Sequence, residues 1–140
     1  SDAFTIISTR VINCPTSGYV LAIASVEFGF SHVNGASSVY NLWLSQSTTQ
    51  PTGHQKNIVW PSTYPTGTVR MIVSVNHIFS VGSGNQTVNI VTDRGTGDPT
   101  YFVDDKTLSL IFIPTAYGTV TTVPPAGEEN ENEATDGGSN

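Results

Sequence analysis

Charge is what this sequence has least of. Only 11% of its 140 residues are Asp, Glu, Lys or Arg, less than half the usual share of about 25%. Good helix formers are sparse as well. Thr, Ser, Val, Gly and Asn take their places, no stretch repeats its apolar residues at helical spacing, and the mix favours strands and turns. No apolar run approaches the roughly 20 residues that a membrane-spanning helix needs, so membrane insertion is not expected. There is one cysteine, Cys14, which excludes an intrachain disulfide and with it the stapled scaffold of many small secreted domains. Cys14 precedes Pro15 at a strand end and reads as a buried structural thiol, since a reactive thiolate needs a neighbouring base or a helix N-terminus. At this length one domain is expected, burying about two thirds of its unfolded surface.

The net charge of −6 is unevenly placed. Glu128, Glu129, Glu131, Glu133 and Asp136 all follow Pro124, where there is no Lys or Arg. The body before them is close to neutral and offers no basic stripe to a phosphate backbone, so nucleic acid is not an expected partner. The segment from Pro124 to Asn140 has no aromatic residue and, apart from Thr135, none that is β-branched. It is too apolar-poor to offset its ordering entropy. The expected division is a folded domain over residues 1–123 and a flexible acidic tail over 124–140.

What the sequence does have is period two. Phe4–Asn13 alternates up to the Pro15 and Ser17-Gly18 stop. Tyr19–Phe30 puts Val20, Ala22, Ala24, Val26, Phe28 and Phe30 on one face, which belongs to a core. Its other face, with Tyr19, Leu21 and Ile23, is too apolar for open water and points to a second buried surface. Asn34-Gly35 is a strong hairpin signal. Ser38–Gln46, Asn57–Trp60, Thr68–Val81 and Gln86–Thr92 read as further strands. Thr100–Val103 and Thr107–Ile113 are expected to pair as a hairpin across Asp104-Asp105-Lys106. The most conspicuous stretch is Lys106–Val120, an apolar strand stopped by Pro114 and a Tyr117-Gly118 turn. Eight or nine short strands without a helix argue an all-β, two-sheet antiparallel sandwich of jelly-roll or immunoglobulin type.

Chemistry is harder to find. There is no Gly-x-Ser-x-Gly elbow, and three histidines do not make a triad. His77 lies on the apolar face of a long strand and reads as a core or interface histidine, while His32 and His54 fall in loops and are expected to be solvated. Asp93-Arg94-Gly95-Thr96-Gly97-Asp98 carries two carboxylates and two glycines, which suit an oxygen-seeking ion. Its spacing matches no EF-hand, however, and a plain surface turn is the simpler reading. Asp104-Asp105 reads the same way, and no Cys/His cluster suits zinc. Asn85-Gln86-Thr87 is the one glycosylation sequon, a triplet frequent by chance in a Ser/Thr-rich chain. Trp60 and Tyr64, flanked by prolines, are the aromatics expected to be exposed, and are the candidate ligand-binding pair.

The order of these elements resembles the tumour-necrosis-factor-like family, the jelly roll shared with complement globular heads and with many bacterial and phage proteins. The likeness runs from about Phe4 to Val120. It is carried by the strand GYVLAIASVEFGFSH, by VRMIVSVNHIFSVGSGNQTVNIV with its Gly84-x-x-Thr87 turn, and by the closing Leu108, Pro114-Thr115 and Tyr117-Gly118 of KTLSLIFIPTAYGTV. The resemblance implies a ten-strand jelly roll that forms homotrimers, with the inner sheet of each subunit packed about the threefold axis. On that view Leu108, Leu110 and Phe112 fill the sandwich, while Leu21, Ile23, Ile111, Ile113 and Tyr117 face neighbouring subunits. It carries over no catalytic, metal or cofactor residue. The function expected is that of a non-enzymatic structural or binding module displayed on a virion or cell surface, such as a capsid-decorating protein or fibre head. The alternative is a lectin-like module holding a sugar at Trp60 and Tyr64.

Overall fold

The computed structural model describes residues 4–48, 55–94 and 101–115. Seven strands run through them: β1 (Thr5–Cys14), β2 (Gly18–His32), β3 (Ser38–Ser45), β4 (Lys56–Trp60), β5 (Gly67–Val81), β6 (Gly84–Arg94) and β7 (Tyr101–Pro114). They form two antiparallel sheets, a four-stranded one ordered β1-β6-β3-β4 and a three-stranded one ordered β5-β2-β7. The chain passes from one sheet to the other at nearly every connection, only β3 and β4 being consecutive strands of one sheet. This is the winding of a jelly-roll sandwich, and the expected all-β, two-sheet architecture stands.

The core lies where alternation said it would. Val20, Ala22, Ala24, Val26, Phe28 and Phe30 of β2 are all buried, facing Tyr40, Leu42 and Leu44 of β3 and Val88 and Ile90 of β6. One end of the sandwich is aromatic: Phe30 and Tyr40 sit 4.8 Å apart by ring centroid, Tyr40 and Tyr101 5.6 Å, and Phe30 and Trp60 5.9 Å. Gly18 allows β7 to close against β2, since a Cβ there would lie 2.4 Å from the Ile113 carbonyl oxygen.

Three expectations are corrected. Asn34-Gly35 does not close a hairpin, because β2 and β3 lie in different sheets. Gly35 does take the left-handed φ of +98° that the dipeptide favours, and its N–H donates to the Ser62 carbonyl at 2.8 Å. The turn is real, but it carries the chain across the sandwich. Next, Tyr101–Pro114 is one strand and not a hairpin. It pairs with β2 on both sides of a register shift: Val103 stands opposite Phe28 and Lys106 opposite Val26. Asp104 and Asp105 therefore oppose the single residue Glu27, which is a β-bulge, and a bulge and a tight turn share a polar signature. Finally, His32 is not solvated. It ends β2, is buried, and its Nδ1 lies 3.2 Å from the Ser38 hydroxyl. The strand runs two residues further than its apolar pattern does.

Candidate functional site

The three-stranded sheet turns one face to the core and the other away from it. β2 is the central strand, and its registers with β5 and β7 decide what the outward face carries. Tyr19 stands between Ser80 and Ile113, Leu21 between Ile78 and Ile111, and Ile23 between Asn76 and Ser109. One end of the face is thus a contiguous apolar patch of Tyr19, Leu21, Ile23, Ile78, Ile111 and Ile113. Leu21, at its centre, is half-buried; Ile23 is 44% exposed, Ile111 50% and Ile78 57%. Across the same strand Leu108 is 5% exposed and packs in the core, where Leu110 and Phe112 join it. The two faces of β7 therefore have different surroundings, as the alternation predicted.

The face changes character along the strands. Its middle is hydroxyl-rich, with Ser25 between Ser74 and Thr107. Its far end is charged and self-contained: Arg70 pairs with Glu27 at 3.4 Å and with Asp104 of the bulge, and its guanidinium lies 5.1 Å from the centroid of the Phe102 ring. Phe102 lies directly over Gly29, where a Cβ would meet ring carbons at 2.1 Å. The charged end satisfies itself within the chain, while the apolar end has no cover among the described residues.

The other predicted residues are scattered. Trp60 is half-buried and rests edge-on against Phe30, and Tyr64 is exposed, with the Trp60 and Tyr64 rings 4.8 Å apart. Only Tyr64 of that pair offers a free flank. Tyr117, His54 and Asp98 lie outside the described residues, as does the segment 124–140. His77 is half-buried beside Phe79, ring centroids 4.6 Å apart, and Cys14 is buried in the core. Asn85 is exposed and accepts a hydrogen bond from the Asn13 amide at 2.8 Å. Among the described residues no three His, Cys, Asp or Glu side chains are grouped to hold a metal ion.

Sequence reasoning missed two features. One is a cleft of about 330 Å³ where edge strands β1 and β7 diverge, lined by Arg10, Val11, Ile12, Leu108, Ser109 and Leu110. The other is Ile78, which completes the apolar patch. Its alternation was visible, but only the β2–β5 register brings it to Leu21. Comparison with family models, with curated proteins and with solved structures finds no match to this chain.

Proposed function

We propose that this chain is a non-enzymatic, homotrimeric structural or binding module displayed on an outer surface, as a virion component of the capsid-decorating or fibre-head kind. The observation that carries the reading is the apolar patch of Tyr19, Leu21, Ile23, Ile78, Ile111 and Ile113, exposed on the outward face of a sheet whose other face is already a core. It presents apolar area on the order of 500 Å², at the upper end of what a soluble monomer usually shows. With its hydroxyl-rich surround it approaches the roughly 800 Å² per partner of a stable interface. The three-copy stoichiometry comes from the family resemblance. A nearly neutral body and a low charged fraction suit a protein that packs against copies of itself and against other structural proteins.

Sedimentation velocity at micromolar concentration tests this. A species three times the chain mass is expected, and a monomer would remove the proposal. The lectin-like alternative draws on Tyr64, exposed beside Trp60, but Trp60 gives most of its surface to Phe30 and the core. Glycan-array binding abolished by Trp60→Ala or Tyr64→Ala, with the fold intact, would favour that alternative over the trimeric module.

A further inference from the structure

The outward face of the four-stranded sheet holds three enclosed polar atoms without a partner among the described residues: the Oδ1 of Asn41, the Oδ1 of Asp93 and the indole Nε1 of Trp43. Asn41 of β3 stands opposite Asn57 of β4 on one side and opposite Asp93 of β6 on the other. All three alternate away from the core, which is reached through Leu42, Ile58 and Ile90. Asn41 is 8% exposed. Its Oδ1 and the Oδ1 of Asp93 are both enclosed and have no hydrogen-bond donor among the described residues. A buried amide oxygen without a partner carries its desolvation penalty uncompensated, and a carboxylate oxygen a larger one. Folded proteins leave few such atoms without a reason, and a bound ion is one such reason.

The chain supplies no cation of its own to this row. Of its five Lys and Arg, Arg70 and Lys106 belong to the other sheet. Arg10, Lys56 and Arg94 stand at register positions opposite Val88, Leu42 and Tyr40, on the alternate side of their strands. We infer that Asn41, Asp93 and Asn57 form a binding site for a hard divalent cation of the calcium type. The donor set is one carboxylate and two amide carbonyls, all oxygen, which suits calcium and not a thiolate- or imidazole-seeking metal. Three protein oxygens with water in the remaining positions make a site of millimolar affinity, the range of extracellular calcium modules. On the same face, two residues along β3 (about 7 Å), the indole of Trp43 is 1% exposed. A buried indole at that spacing lowers the dielectric around the row.

Trp43 also provides the assay. Terbium, a calcium substitute, is added to the full-length protein and its emission is read with tryptophan excitation. Sensitised emission is expected, and it should fall as calcium is added. Calcium at ten times its dissociation constant should raise Tm by about 4 °C. Asp93→Asn should weaken calcium at least tenfold. Asn57→Ala, at an exposed position that does not endanger folding, should weaken it two- to fivefold. Asp104→Asn, an acid of the other sheet, should change neither signal. Absence of both the calcium-dependent Tm shift and the sensitised emission overturns the site and leaves an ordered water as the partner of the two oxygens. Emission that survives both Asp93→Asn and Asn57→Ala overturns it equally, since the lanthanide is then held by other acids.

Discussion

Ile111 and Leu108 lie three residues apart on one strand, and replacing each by Asp should produce two different failures. Leu108 is 5% exposed and stands opposite Ala24 in the core. Removing its side chain costs about 2–5 kcal/mol, and a carboxylate left there without a partner adds several more. Together these are comparable to the 5–15 kcal/mol that holds a typical domain folded, so Leu108→Asp should show no cooperative unfolding transition. Ile111 is 50% exposed, opposite Leu21 on the outward face. Within one subunit its loss should cost under about 1 kcal/mol.

In a trimer the accounting is different. The exposed half of Ile111 leaves on the order of 90 Å² for a neighbour to cover, roughly 2 kcal/mol at 25 cal/mol/Å². Three copies bring that to about 6 kcal/mol, before the cost of desolvating three carboxylates. At 1.4 kcal/mol per tenfold this weakens association by more than about 10⁴, enough to disperse a micromolar assembly. Sedimentation velocity beside circular dichroism reads both effects. Ile111→Asp should sediment as a folded monomer, while Leu108→Asp should lose its native spectrum. If Ile111→Asp keeps the wild-type sedimentation coefficient, the outward patch is not the subunit interface.

Other positions carry sharper local expectations. Gly18→Ala puts a Cβ against the Ile113 carbonyl oxygen, backbone that cannot step aside cheaply; a cost of about 2–3 kcal/mol and a Tm lower by roughly 8 °C are expected by thermal denaturation. Gly35→Ala, at φ +98° in the crossing between sheets, should lose about 1 kcal/mol by denaturant titration with no change in m-value. Arg70→Ala removes the ion pairs to Glu27 and Asp104 and the contact with Phe102. Because Arg70 is more than half exposed, the loss should stay near or below 1 kcal/mol, and the ion-pair part of it should shrink in high salt.

Much of this molecule was written in period two. The alternation of Val20, Ala22, Ala24, Val26, Phe28 and Phe30 against Tyr19, Leu21 and Ile23 determined which side of β2 is core and which is left over, and Leu108 against Ile111 did the same for β7. These assignments hold because the side chains of a strand point to opposite faces whatever the strand pairs with. Pairing itself is non-local, and only the tertiary structure decided it. Asn34-Gly35 signals a reversal equally well whether the next strand lies in the same sheet or across the sandwich. Asp104-Asp105 satisfies a bulge as readily as a hairpin tip. That β2 runs between β5 and β7, bringing Ile78 and Ile111 to either side of Leu21, appears in no local pattern, and it is what turns scattered isoleucines into one patch. The meeting of Asn41 with Asp93, 52 positions apart in the chain, likewise depends on β3 pairing with β6. Sequence set the faces of each strand, and register set which faces meet.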